Sequence, residues 1–97
     1  LDIGHNQLEN FELDLTEINY LYTLFLDNNY LTTVSESICY SSVDYFSQYN
    51  FLIENNNLCI ENVPECIADE TILGYQGCIE SVSKNLIHHK SNILNID

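Results

Sequence analysis

The stretch Leu21-Tyr22-Thr23-Leu24-Phe25-Leu26-Asp27-Asn28-Asn29-Tyr30-Leu31 constrains this chain more than any other. It reads L-x-x-L-x-L-x-x-N-x-L, and its second half occurs twice more. Leu1, Ile3, Asn6 and Leu8 fit L-x-L-x-x-N-x-L, as do Phe51, Ile53, Asn56 and Leu58, with Phe in the first slot. The copies open at Leu1, Leu24 and Phe51, so the intervals are 23 and 27 residues. Within each copy, two apolar residues flank one outward position, which is the period-two spacing of a strand with one buried face. Short strands are therefore expected over 1–3, 23–26 and 50–53.

A repeat with this residue order, recurring every roughly 20–29 residues, resembles the leucine-rich repeat. The resemblance implies an α/β-type, right-handed solenoid, with short parallel strands on a concave face and irregular or short helical or 3-10 arms on the convex side. It divides the chain into three repeats over 1–58 (1–23, 24–50 and 51–58 onward), a cap over 59–78, and a tail or short helix over 79–97. In such a solenoid the backbone turns inward at the asparagine slot and leaves amides in need of partners. An Asn side chain supplies two donors and an acceptor, and buried polar groups have to be paired. Asn6, Asn29 and Asn56 are accordingly expected to form a structural ladder.

The first arm, 9–20, is anchored by Phe11, Leu13, Leu15 and Ile18; the alternation Leu13-Asp14-Leu15 is too brief to read as a strand. The second arm carries Val34-Ser35-Glu36-Ser37-Ile38. This is similar to the apolar-Pro-x-x-apolar segment of plant and bacterial repeats, with Ser35 in place of Pro. Its extra four residues (27 against 23) are an insertion that a loop tolerates. Val63-Pro64-Glu65-Cys66-Ile67 fits the segment fully. The run from Cys59 through Gly74-Tyr75-Gln76-Gly77-Cys78 is similar to the terminal segment of secreted bacterial leucine-rich repeat proteins. Residues 59–78 are therefore expected to be a disulfide-tied cap that seals the core and its open strand edge. Beyond it, Ile79, Val82 and Leu86 have helical spacing, and an extended tail is the equal alternative.

Cysteines stand at 39, 59, 66 and 78. An even number at this density argues for disulfides and an oxidising compartment. Zinc sites usually show paired C-x2–4-C ligands, whereas these gaps are longer and irregular; free buried thiols, packed as small hydrophobes, are the remaining alternative. Four cysteines allow three pairings. Ser37 and Cys66 occupy matching slots in adjacent arms, which puts Cys39 near Cys66 and leans toward Cys39–Cys66 with Cys59–Cys78.

Charge narrows the partners. Fifteen acidic residues against two lysines and no arginine give a formal net charge of -13. A phosphate backbone is held mainly by Lys and Arg, so no nucleic acid is expected, and attachment to anionic lipid fails for the same reason. A basic protein, a cation or a neutral glycan remains, or plain solubility. No apolar run approaches the roughly 18–20 residues that span a bilayer, so no membrane insertion is expected. The length of 97 residues suits one domain. The chain starts inside a repeat, without the polar-faced cap of a terminal repeat and with no visible leader. It is therefore expected to belong to a longer protein with more repeats upstream, extracellular or on the cell surface.

Stacked repeats align Asp2, Phe25 and Leu52 in one column, Gly4, Asp27 and Glu54 in the next, and His5, Asn28 and Asn55 in a third. Solenoids of this family bind through that surface. The resemblance thus implies a binding face of Asp2, His5, Thr23, Phe25, Asp27, Asn28, Leu52, Glu54 and Asn55, with a protein or glycan partner and no cofactor. Plain solvated surface is the competing reading, because three repeats make a small face beside the ~800 Å² that a partner usually covers. Asp27, Glu54, Asn28 and Asn55 offer oxygens of the kind calcium takes, but no D-x-D-x-D-G loop is present. Adjacent histidines diverge on most backbones, so His88-His89-Lys90 is a poor metal tract, and no metal is expected. No Gly-rich phosphate loop, G-x-S-x-G, H-E-x-x-H or C-x-x-C occurs, and a Cys66–His88 pair lacks a third, orienting group. The expected function is non-catalytic binding through the concave face. The alternative is a purely structural C-terminal cap of a longer array whose ligand face lies upstream.

Overall fold

Alternating burial decides which residues pair. The computed structural model describes residues 1–18 and 20–78. Leu24 and Leu26 are buried with half-buried Phe25 between them, and Phe51 and Ile53 are buried around half-buried Leu52. These residues form β2 (Leu24–Phe25) and β4 (Phe51–Leu52), which pair in parallel with Leu24 opposite Phe51 and Phe25 opposite Leu52. Asp2 bridges Phe25 on the other side, also in parallel, and Asn56 bridges Gln76 further on.

The strands are shorter than expected. Only 24–25 and 51–52 qualify, and the segment over 1–3 contributes a single bridge at Asp2. The backbone bonds nevertheless run past them: Ile3 N donates to Phe25 O at 2.9 Å, His5 N to Asp27 O at 2.8 Å, Leu26 N to Leu52 O at 2.7 Å and Asn28 N to Glu54 O at 3.0 Å. The ladder continues into a turn whose residues His5, Asn28 and Asn55 have φ of 58°, 56° and 61°. That is left-handed backbone rather than strand, and Asn and His enter it more readily than most side chains.

A second parallel pair lies in the arms, where an irregular or helical crossing was expected. β1 (Asn10–Phe11) pairs with β3 (Thr33–Val34), with Phe11 and Val34 buried and Asn10 and Thr33 exposed. Ser35, which stands where the pattern has proline, continues this pair by donating its N–H to Phe11 O at 2.7 Å. Proline has no N–H to give. The Ser35 hydroxyl also accepts from Ser37 N and caps the 3-10 turn Glu36–Tyr40. Further 3-10 turns cover Ile60–Asn62 and Glu65–Ile67, and α1 (Glu70–Leu73) is capped by Asp69, whose carboxylate accepts from Thr71 N and Ile72 N.

The core lies between the strand segments and the arms. Leu15, Leu24, Leu26, Leu31, Ile38, Ile53 and Ile67 are fully buried, and each such side chain contributes roughly 1.5–3 kcal/mol of transfer free energy. Tyr45 sets its ring edge-on to Phe51, with centroids 4.6 Å apart. Its hydroxyl bonds Ser41 and the Ile38 carbonyl, and burial pushes the phenol above its ordinary pKa. Neighbouring arms are tied through matching slots. Ser37 Oγ donates to Leu13 O and accepts from Leu15 N, both at 3.0 Å. In the next arm the matching residue is Cys66, and the tie is a disulfide to Cys39. A second disulfide joins Cys59 to Cys78. These are the two bonds toward which the slot alignment leaned. No helix among the described residues is long and apolar enough to cross a membrane. The tail or short helix expected over 79–97, with His88 and His89, lies outside the described residues.

Candidate functional site

Amide side chains hold the strand segments in register. Asn29 Nδ2 donates to Ile3 O at 3.1 Å and Leu26 O at 3.0 Å, while its Oδ1 accepts from Asn6 N at 3.1 Å and Leu8 N at 3.2 Å. Asn56 repeats this one segment later, donating to Leu26 O at 3.0 Å and Ile53 O at 2.9 Å and accepting from Leu31 N at 2.9 Å. Gln76 repeats it again, donating to Ile53 O at 2.9 Å and Leu73 O at 2.8 Å and accepting from Leu58 N at 3.1 Å. Asn6 is exposed, and its Nδ2 donates to Ile3 O and Gly4 O.

On this frame the outward residues fall into rows. In the first row Asp2 is exposed beside half-buried Phe25 and Leu52, and Thr23 sits half-buried at its edge. The Asp2 carboxylate accepts from Gly4 N at 3.0 Å. In the second row the two carboxylates differ. Asp27 is 8% exposed, its Oδ2 accepting from Asn28 Nδ2 at 2.9 Å and lying 3.3 Å from His5 Nε2. Its other oxygen packs on Gly4, where an added Cβ would come within 2.5 Å of it. That carboxylate is engaged inside the protein, whereas Glu54 is exposed. In the third row His5 and Asn55 are exposed and Asn28 is half-buried. All three are the left-handed residues of the turn, so their identity answers a backbone demand.

The far end extends these rows with residues that fall outside the L-x-L-x-x-N-x-L pattern. Asn56 stands beside Gln76, an offset of 20 residues (76 less 56) rather than 23 or 27. By that offset Ile72 adjoins Leu52, and Gly74 adjoins Glu54, whose Cβ would lie 3.0 Å from a Cβ on residue 74. Leu52, Glu54, Thr71 and Ile72 share a small cleft of about 70 Å³. The signal is glutamine: the Gln76 amide does the work of asparagine with one more methylene, and so lies outside a pattern written with Asn.

No lysine or arginine occurs in residues 1–78, so His5 is the one side chain of this face able to carry positive charge. Among the described residues, Cys59, Glu61 and Cys78 are grouped closely enough to hold one ion. Their two sulfurs are bonded to each other, whereas a cysteine binds metal as the thiolate. Asp27 and Glu54 are not brought into any such group among the described residues.

No known protein family, characterised protein or solved structure matches this chain. Its function is therefore argued from its own residues.

Proposed function

We propose that the chain is a short leucine-rich repeat solenoid that binds a protein or glycan, without catalysis, outside the cell or at its surface. The observation that carries this reading is the row Asp2–Phe25–Leu52, one outward residue from each of three parallel segments. Phe25 and Leu52 supply an apolar strip, and Asp2, Glu54, His5 and Asn55 supply charges and hydrogen-bonding groups around it. Such a face suits a partner whose apolar group is framed by cations or hydroxyls. On this face the cleft beside Leu52 holds about 70 Å³, far below the roughly 300–1,000 Å³ of a small-molecule site, so the row itself suits a macromolecular partner met across a surface. The shared bonding of Asn29, Asn56 and Gln76 supports the repeat assignment, with repeats over 1–58 and a cap over 59–78. Two disulfides are compatible with an oxidising, extracellular setting.

A structural role has its own support. Asp27 is turned inward, and Gln76 with the Cys59–Cys78 bond ties down the far end. On that reading the chain caps a longer array whose ligand face lies upstream. Glycan arrays and immobilised extracellular proteins, probed with the chain and with a Phe25→Ser/Leu52→Ser/Glu54→Ala variant, separate the two. A ligand whose affinity drops at least tenfold in the folded variant supports binding here. Equal capture by both chains, or capture by neither, leaves the structural role.

A further inference from the structure

The longer arm leaves one aromatic ring outside the core. Asp44 accepts from Phe46 N with its carboxylate and from Ser47 N with its carbonyl, and Ser47 O in turn accepts from Asn50 N and Phe51 N. This backbone sets Tyr45 edge-on against buried Phe51, while Phe46 beside it is 77% exposed. The exposed ring is not isolated. It lines the cleft of about 70 Å³ together with Leu52 and Glu54 of the strand segment and Ile72 of α1. Exposed apolar groups drawn together in this way commonly mark a contact site.

Glu54 gives the cleft its sign. Its side chain is exposed, and its carboxylate has no hydrogen-bond or ion-pair partner among the described residues. Asp27, in the same row, is already engaged by His5 and Asn28. Gly74 leaves Glu54 its room, since a Cβ on residue 74 would lie 3.0 Å from Glu54 Cβ and 3.7 Å from its Oε1. Residues 1–78 contain no lysine or arginine that could neutralise it.

These walls select the occupant. A cleft of about 70 Å³ admits one side chain and not a whole small ligand. An apolar group there would strip water from the Glu54 carboxylate without pairing it, which is costly. An anion would meet both Glu54 and a net charge of -13. A neutral hydroxyl would gain nothing from that charge, which steers cations to the surface. Arginine meets every demand. Its methylenes lie along apolar surface while its head stays polar, its guanidinium stacks on an aromatic face, and it binds a carboxylate through two parallel hydrogen bonds.

We propose that this cleft receives one arginine side chain of a basic partner protein. The methylenes lie on Leu52 and Ile72, and the guanidinium sits between the Phe46 ring and the Glu54 carboxylate. This rests on the reading of the chain as a binding module, and within that reading it chooses a protein over a glycan. Phe46 and Glu54 are then the residues that set specificity.

Peptide titration of the isotope-labelled full chain, followed by amide and side-chain NMR signals, tests this. The probe is a glycine–serine peptide with two lysines and one central arginine. Its companions replace that arginine with citrulline, which keeps the shape and loses the charge, or with norleucine. The arginine peptide should shift the signals of Phe46, Leu52, Glu54 and Ile72 and bind at least about fivefold tighter than either companion. Phe46→Ala and Glu54→Gln, both at exposed positions, should each erase most of that preference. Tyr40→Ala, at an exposed aromatic outside the cleft, should leave it intact. Equal affinity of the three peptides would overturn the proposal, as would shifts spread over Glu9, Glu12 and Glu17. Tighter binding of a neutral N-acetylglucosamine trimer at the same residues would overturn it in favour of a glycan. Failure here is separable from failure of the binding reading. An array ligand that loses affinity in the Phe25→Ser/Leu52→Ser/Glu54→Ala variant but not in Phe46→Ala or Glu54→Gln overturns the arginine cleft alone. No array capture together with a null titration overturns both.

Discussion

Gln76 lies beside Asn56 in parallel register and makes the same three kinds of hydrogen bond one segment further along. Each amide joins its own turn to the strand segment before it and holds an N–H from the preceding closing leucine. Burial differs along the series: Asn56 is 3% exposed, Gln76 is half-buried and Asn6 is exposed. Replacement by alanine should follow that order. Asn56→Ala strands the buried Leu31 N–H and takes one of two amide donors from each of the Leu26 and Ile53 carbonyls, and should cost about 3 kcal/mol. Gln76→Ala should cost about 2 kcal/mol and Asn6→Ala under ~1 kcal/mol, since water replaces exposed bonds. Urea unfolding with the disulfides intact reads the order directly, and an equal loss at all three would contradict it.

Ser35→Pro tests the second sheet. Ser35 has φ of -62°, a value proline prefers, and the apolar-Pro-x-x-apolar pattern asks for proline there. Pattern and dihedral alone predict stabilisation by up to ~1 kcal/mol. The Ser35 N–H, however, donates to Phe11 O, and the hydroxyl caps the following turn. Losing both should destabilise by about 1–3 kcal/mol. A higher melting temperature for the proline variant would show that the β1–β3 pair carries no weight.

Each disulfide closes a loop, with separations of 27 and 19 residues. On the chain-entropy model, loops of this length contribute about 3–4 kcal/mol apiece. Cys39→Ser/Cys66→Ser should therefore lower stability about as much as Cys59→Ser/Cys78→Ser. Non-reducing peptide mapping should recover Cys39–Cys66 and Cys59–Cys78, and any other pairing would contradict the packing of the turns at 36–40 and 65–67.

Tyr45 should make the fold sensitive to alkali. Burial raises its pKa, partly offset by the Ser41 hydroxyl. A raised folded-state value means that the neutral phenol's contribution is complete below the unfolded value near 10. It is lost as pH rises through the higher folded value. The urea midpoint should therefore fall above pH ~10. Tyr45→Phe forfeits the bonds to Ser41 and the Ile38 carbonyl, about 1 kcal/mol at pH 7, and should flatten the alkaline fall. An equally steep fall in both proteins would assign it to other groups.

Much of this arrangement was legible in the sequence, because burial on one strand face imposes a period of two and one inward turn per repeat demands an amide. Leu24, Leu26, Phe51 and Ile53 announced the buried positions, and Asn29 and Asn56 the turns. The neighbours of Phe25 followed from the intervals of 23 and 27. What escaped was the second pairing, although Asn10 stands opposite Thr33 at the same interval of 23. Asn10–Phe11 and Thr33–Val34 are each two residues long and carry no alternation that a sequence window resolves. Gln76 escaped because its segment is shorter and its amide longer.

The sequence by itself determined which residues face inward, which turns need an amide and that both lysines fall within 79–97, since these follow from the order of side chains along one covalent chain. Only the tertiary structure decided that Asp27 is drawn inside against Gly4, His5 and Asn28 while Glu54 in the same row is left in water. Both are carboxylates at equivalent positions. Their difference comes from the neighbouring segments: His5 and Asn28 meet the charge of Asp27 and offset the cost of burying it, whereas Glu54 stands exposed beside Gly74.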